Sequence, residues 1–404
     1  MHILQVNNYD HVRGGSDVVF FETSQLLKHA GHRVTPFATI ARGQQRNPEN
    51  CYFPTTLDTR KAGVLSTPRF LHNRAARRGL SAMLSDLAAV DVAHLHIYYG
   101  QLTSSILGEL RRRRIPIVQT LHEYKLACPI YTMVRGGHPC DLCVNGSTWN
   151  LVKHRCKDDS LSRSMLMLAE FWASRLQGDV RHIDRFICIS EFQRKVMLRA
   201  GLPEEKLMVI NNFVDVDAFR PCASNEKGDY LLYFGRIEAL KGVPTLVEAA
   251  HQSGRRLILA GTGSWQGELA AFAGRSKYIE HLGFLEGEKL HDLVSKARAV
   301  VVPSEWYEPF GLTVLEAKAS GTPVIGSDMG AIPGLIRDGI DGFVFTAGSI
   351  ESLTAAIERL ERSDLSVLAQ AARSDVLDRF SSSSHLAKLM GVYGQAIERN
   401  DRES

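Results

Sequence analysis

Glu308-Pro309-Phe310-Gly311-Leu312-Thr313-Val314-Leu315-Glu316 is the stretch that decides the reading of this 404-residue chain. Two glutamates stand eight residues apart around a Pro-Phe-Gly turn. The preceding Ala299-Val300-Val301-Val302-Pro303-Ser304 has the apolar, β-branched character of a buried strand running into a loop. The residues after Gly311, Leu312 to Ala319, follow a helical pattern. Glu308 is therefore expected in a loop above a strand end, and Glu316 more than a turn into the next helix. In an open α/β sheet such a loop is where ligands bind, and the free N–H groups of the helix's first turn favour an anion. A carboxylate on each side of an anion site suits a ligand with phosphate in the middle and hydroxyls at both ends, such as a sugar nucleotide. A pair of solvated surface glutamates is the plain alternative, which the Pro-Phe-Gly entry disfavours because a surface helix needs no such turn.

The same strand–loop–helix rhythm runs outward in both directions. A strand is expected over residues 3–6, then the loop Arg13-Gly14-Gly15-Ser16, then a helix from about 17 to 29 closed by Gly31. Residues 33–38, 92–96, 115–121 and 186–189 are further short apolar runs suited to a parallel sheet. The pattern restarts at residues 230–234. Their loop, Gly235-Arg236-Ile237-Glu238-Ala239-Leu240-Lys241-Gly242, leads to a helix near 244–251. Strands follow at 257–260, 278–282, 299–302, 323–326 and 343–345, and helical patterns run from 350 to about 396. The alternation predicts an α/β protein with two Rossmann-like, doubly wound domains: residues 1–210, and residues 229–380. Between them lies a polar linker, 211–228, with Pro221, Asn225 and Gly228.

Bulk properties narrow the class. A composition of 44% hydrophobic and 23% charged residues is globular, and the length calls for more than one core. The apolar runs are strand-length, so no membrane span is expected, and the N-terminus begins a strand with no secretory pattern. A cytoplasmic protein is the expectation. The net charge of +4 hides an asymmetry: residues 1–210 hold 28 Lys/Arg against 18 Asp/Glu, and residues 211–404 hold 20 against 26. The basic half suits an anionic acceptor or an anionic membrane surface. No nucleic-acid motif is present, and none is expected as a partner.

In their order, several motifs together resemble the retaining, family-4-type glycosyltransferases of the GT-B fold. They are Gly14-Gly15 after the first strand, Arg236 with Lys241 five residues on, Gly261-Thr262-Gly263, the Glu308/Glu316 pair, Gly321-Thr322-Pro323-Val324-Ile325 and Gly330-Ala331-Ile332-Pro333. Each motif alone says little; the ordered set spans nearly the whole chain. The resemblance implies two domains facing across a cleft, with the donor in the second, most of the acceptor in the first, and a last helix, residues 381–404, crossing back to the first. It also implies a nucleotide-sugar donor (UDP-, GDP- or ADP-linked), a glycan or lipid-linked acceptor, and bacterial polysaccharide or glycolipid synthesis as the setting.

Roles carried over by that resemblance are specific. Arg236 and Lys241 hold the donor diphosphate and offset its charge as the sugar leaves. Glu316 takes the ribose hydroxyls and Glu308 the hydroxyls of the donor sugar, while Phe310, Gly311 and Leu312 line the site with backbone N–H groups. Gly14 and Gly15 form the facing loop near the diphosphate, where glycine allows close approach. Gly261 and Gly263 belong to the nucleotide side. His122, at the end of the strand through Leu121, lies near the donor sugar; the family usually has Asp next, and here it is Glu123. His96 has a similar strand-end location and reads as structural. Gly334 stands where the family commonly has Glu. No residue reads as a dedicated covalent nucleophile, so a front-face retaining route is the family expectation, with no catalytic metal.

Four of the seven cysteines crowd into residues 128–156: Cys128, Cys140, Cys143 and Cys156, with His138 and His154 alongside. Their spacing fits a tetrahedral structural zinc. Reduced thiols in a packed insertion, or disulfides, are the alternatives. Residues 67–87, the run Arg111 to Arg114 and residues 161–176 mix arginines with large apolar side chains, a composition that docks on anionic lipid at the inner face of a membrane or simply forms solvated helices. A sugar-nucleotide epimerase, a phosphorylase or a non-catalytic nucleotide-sugar-binding subunit on the same fold are the competing functions.

Overall fold

The structure is a computed structural model that describes residues 1–57, 67–223 and 226–402. Asn225 of the expected linker and the last two residues of the expected final helix lie outside the described residues.

The first half builds one six-stranded sheet. In chain order its elements are β1 (His2–Tyr9), α1 (Gly15–His29), β2 (Arg33–Thr39), α2 (Thr67–Leu71), α3 (Arg74–Asp86), β3 (Val92–Leu95), α4 (Leu107–Arg112) and β4 (Ile117–Leu121). An insertion with a small hairpin, β5 (Val134–Arg135) and β6 (His138–Pro139), and α5 (Asn150–Lys153) follows. After it come α6 (Leu161–Leu176), β7 (Arg185–Cys188), α7 (Glu191–Arg199) and β8 (Leu207–Val209). The strand order is β2-β1-β3-β4-β7-β8, and every pairing is parallel. β3 and β4 are buried at every residue, as strands covered by helices on both faces must be. Neither the hairpin nor β8 was expected. Both are too short to leave a periodic signature, and β8 exists because Phe186 to Cys188 offers it an edge. Helix α1 starts at Gly15, two residues earlier than expected, because the Gly14 carbonyl accepts from the N–H groups of Asp17 and Val18.

The second half repeats the plan. β9 (Leu231–Phe234), α8 (Val243–Ser253), β10 (Leu257–Ala260), α9 (Gln266–Ala273), β11 (Ile279–His281), α10 (Gly287–Lys296), β12 (Ala299–Val302), α11 (Leu312–Ala319), β13 (Val324–Ser327), β14 (Gly342–Phe345), α12 (Ile350–Glu361) and α13 (Leu365–Arg379) form a sheet of order β11-β10-β9-β12-β13-β14. The order reverses between β9 and β12 here, and between β1 and β3 in the first sheet. At such a reversal the loops leave in opposite directions and open a crevice at the carboxyl ends of the strands.

The chain then returns. α14 (Ser382–Arg402) buries Leu389, Val392, Tyr393 and Ala396 against Ile3, Leu27, Val92, Val118 and Ile187 of the first domain. Tyr393 is within 2.7 Å of His94 Nδ1, and Arg111 donates to Asn400 at 3.1 Å. The apolar burial and these polar contacts make the crossing helix a layer of the first domain. Inside the second domain Lys318 is buried among Asp375, Asp341 and the Leu335 carbonyl, at 2.6, 3.2 and 2.8 Å, so α11 is anchored from beneath. Among the described residues, no helix is long and apolar enough to cross a membrane.

Candidate active site

Between the domains lies a cavity of about 820 Å³. Its walls are the loops after β1 (Arg13, Gly14, Gly15, Ser16), β4 (His122, Glu123), β9 (Arg236, Glu238, Lys241) and β12 (Trp306, Glu308, Pro309), and the start of α11. The two domains touch beside it: Ser190 donates to the Pro309 carbonyl at 2.7 Å, and a Cβ on Gly15 would stand 3.3 Å from Leu312 Cδ1. Gly14 is extended, with open space where a side chain would project. The Gly-Gly pair therefore keeps side chains out of the cleft and needs no left-handed backbone. Asp17 pins the loop by accepting from Asn7 Nδ2 and the Arg13 N–H at 2.8 and 3.0 Å.

Glu308 is 8% exposed, and all three of its side-chain hydrogen bonds fall on one oxygen. Oε1 accepts from Lys241 Nζ at 2.6 Å, Ser304 Oγ at 2.7 Å and Trp306 Nε1 at 2.8 Å. Burial alone favours the neutral acid, but the Lys241 ammonium and these hydrogen bonds outweigh it and hold the carboxyl below its usual range. Oε2 has no protein partner among the described residues. The loop is backed by Gly330, at φ +62, where a Cβ would lie 2.4 Å from the main-chain N and O of Glu308. Gly311, at φ +131, turns the chain into α11, so that Leu312 and Thr313 reach the cavity at the helix's first turn.

Lys241 faces Glu308 directly, and Arg236 pairs with Glu238 at 2.9 Å. Both expected phosphate-binding cations thus have a carboxylate partner. Glu316, one turn along α11, is not on the cavity wall; burial, and then the Glu22 carboxylate of α1, push it up to about 7. Gly261 and Gly263 are not on the wall either. They stand behind the β9 loop, where a Cβ would strike the Gly235 carbonyl at 1.8 Å and the Ile237 carbonyl at 2.2 Å. Their place is close packing of the loop that carries Arg236. His122 and Glu123 do line the cavity, with burial pushing Glu123 up to about 7. A Cβ on Gly334 would meet open space, so the family's glutamate there has no replacement packed into its place.

Sequence reasoning missed Ser304, Trp306 and Glu238, although each lies within four residues of a residue it had singled out. It also missed Tyr131, Lys157 and Asp158, which carry the cysteine insertion onto the cavity wall. Five non-glycine residues of that region, Tyr131, Met133, Arg155, Asp158 and Asp159, hold positive φ, a strain that packing must maintain.

The four cysteines line one small cavity of about 20 Å³. All seven thiols are free, and among the described residues no three His, Cys, Asp or Glu side chains are grouped so as to hold a metal ion. Burial, then the neighbouring Cys128, Cys156 and Cys140, push the Cys143 thiol up to about 12.

Comparison with known proteins agrees with this architecture. Residues 217–375 match the family described as glycosyl transferases group 1, and residues 13–218 match glycosyltransferase family 4. An uncharacterized glycosyltransferase of Methanocaldococcus jannaschii is 27% identical over 222 residues, covering 50% of this chain and 57% of that protein. A D-inositol 3-phosphate glycosyltransferase of Mycobacterium tuberculosis is 31% identical over 255 residues, covering 56% and 52%. This chain thus spans about half the length of the curated relatives it matches. The Anabaena protein HepE, solved with UDP and also with UDP-glucose, superimposes with a TM-score of 0.67 in the UDP complex at 17% identity, over 98% of this chain and 100% of that one. With one family description covering half its length, this chain belongs to glycosyltransferase family 4.

Proposed function

We propose that the cleft transfers a hexosyl group from a nucleotide-diphosphate sugar to a glycan or lipid-linked acceptor with retention of anomeric configuration. The observation that carries this is Glu308: three donors saturate Oε1, and Oε2 remains to accept from the hydroxyls of a sugar lying against the α11 N-terminus. Arg236 and Lys241 then face the diphosphate. Each has to exchange part of its carboxylate contact for phosphate, so donor binding reorganises the Glu238 and Glu308 pairs. Glu316 takes the ribose as a carboxylate, residues 229–380 hold the donor and residues 1–210 the acceptor. That HepE is solved with UDP and UDP-glucose supports a nucleotide-diphosphate sugar as donor. An epimerase or phosphorylase reading has no observation of its own here.

On the acceptor side, α6 turns a face without charge to solvent. Leu161, Met165, Trp172 and Leu176 are exposed and fall within one narrow stripe of the helix, and Leu176 is 81% exposed. At its end opens a hollow of about 650 Å³ lined by His72, Arg74, Arg77, Arg78, Arg112 and one carboxylate, Glu109, which pairs with Arg112 at 2.7 Å, and Leu176 borders the hollow next to it together with Arg77, Glu109, Arg112 and Arg181. An apolar ridge beside cations is the composition of a surface that inserts into an anionic leaflet. It supports peripheral attachment to the inner membrane face and a lipid-linked, growing cell-surface glycan as acceptor. A structural zinc in residues 128–156 keeps the support of four thiols on one cavity wall, against their spacing as they stand.

Glu308→Gln is expected to lower kcat by roughly 10²-fold, the scale of a misplaced reacting group, with donor affinity little changed; steady-state kinetics with calorimetric donor binding checks this, and unchanged turnover overturns it. Glu316 holds its proton below about 7 and is a carboxylate above it. Nucleotide affinity should therefore strengthen from pH 6 to pH 8, and Glu22→Gln, by removing a like charge, should move that midpoint down. An affinity flat over this range contradicts the ribose role. In sedimentation with phosphatidylglycerol vesicles the protein should pellet, and Trp172→Ser with Leu176→Ser should release it; no pelleting at low salt removes the membrane reading. Purified protein should contain one zinc per chain and lose thermal stability in chelator, and metal-free protein of unchanged stability removes the zinc.

A further inference from the structure

Behind His122 lies a chain of buried polar groups that the transfer reading leaves unused. His122 Nε2 is 2.8 Å from His96 Nδ1, and the two rings are stacked with their planes 13° apart. His96 Nε2 is 2.9 Å from Gln5 Oε1, and Gln5 Nε2 is 3.2 Å from His94 Nδ1. His94 Nδ1 also meets the Tyr393 hydroxyl at 2.7 Å, while His94 Nε2 meets Thr120 Oγ1 at 2.7 Å. Gln5, His94, His96 and Tyr393 are all at most 1% exposed. One continuous path therefore joins the C-terminal crossing helix to the cleft wall.

Its direction follows from the orientation of the Gln5 amide. Oε1 is turned to His96 and can only accept, so His96 carries its proton on Nε2. In a neutral ring Nδ1 is then the acceptor, so the bond from His122 to His96 is donated by His122 Nε2. The Gln5 amide donates to His94 Nδ1, so His94 is also protonated on Nε2 and donates to Thr120. Every donor meets an acceptor only when all three rings are neutral. Burial, joined for His94 and His96 by their histidine neighbours, favours that state, since it lowers all three basicities, those of His94 and His122 to about 3.

We infer that His96 is a positioning residue: with Gln5, His94 and Tyr393 behind it, it fixes His122 as the Nε2–H tautomer and so offers Nδ1 to the cleft as a hydrogen-bond acceptor for a substrate hydroxyl. The path reaches the cleft at His122, which lines the cavity and whose remaining nitrogen has no protein partner among the described residues. Fixing the tautomer from the second ring nitrogen is a known way of setting what a histidine presents to a substrate. The substrate hydroxyl rests on the transfer reading; the tautomer does not.

The test uses full-length protein labelled with ¹⁵N-histidine. Long-range ¹H–¹⁵N spectra of the ligand-free protein should show His122 as the Nε2–H tautomer, without titration from pH 8 to pH 5. His96→Phe should give a mixture of His122 tautomers and lower kcat at least roughly tenfold with little change in KM for the nucleotide sugar. His96→Asn, whose Oδ1 can stand in for Nδ1, should restore most of both. Wild-type His122 as the Nδ1–H tautomer, or a His96→Phe protein with unchanged tautomer and kcat, overturns the inference. If His96→Phe does not fold, the wild-type spectrum decides alone. Absence of turnover with every nucleotide sugar would count against the transfer reading and leave the tautomer result standing.

Discussion

Three hydrogen-bond donors converge on one oxygen of Glu308, and the cleft is organised around that point. Lys241 comes from the loop after β9; Ser304 and Trp306 come from the loop after β12. The carboxylate therefore ties together the two loops on either side of the strand-order reversal in the second sheet. A buried ion pair adds little net stability, but removing one partner leaves a charge stranded at a cost of about 3–5 kcal/mol when fully buried. The arrangement is thus enforced more by the penalty for breaking it than by the gain in making it. It also divides the carboxylate into one oxygen that belongs to the protein and one without a protein partner among the described residues.

Everything else around this point serves to hold it still. Gly330 lets one turn lie against the Glu308 main chain, Gly311 bends the chain into α11, and the buried Lys318 fixes that helix to α13 through Asp375. From the opposite side, Ser190 reaches the Pro309 carbonyl and Gly15 meets Leu312. The crossing helix α14 joins the second domain to the back of the first sheet, so the two cleft walls are linked both at their rims and behind them.

Much of this was legible in the sequence, element by element. The buried parallel strands announce themselves as unbroken apolar runs such as Val300-Val301-Val302, because helices cover both of their faces. The loops at their carboxyl ends follow at once, and with them Arg236, Lys241, Glu308 and His122. Packing partners were not legible. Gly261 and Gly263 are placed on the nucleotide side by the resemblance, and their missing Cβ atoms let the β9 loop lie over them. The carboxylate partners of Arg236 and Lys241, Glu238 and Glu308, are revealed only when the loops fold. The four cysteines do share a cavity, as their crowding suggested, while the separation of their side chains is a matter of backbone path that spacing does not encode.

Local pattern and the order of motifs were enough to reveal the doubling of the α/β plan, the position of the cleft loops and the family. Which partners those residues take was settled by packing. Hydrogen bonds from Lys241 to Glu308, across 67 residues, and from Tyr393 through His94 and Gln5 to His96, across nearly three hundred, are made by side chains brought together by sheet order and by the returning helix. Such contacts depend on angles and distances between elements, and those are fixed when the two domains and α14 pack, not by the residues that flank each side chain in the chain.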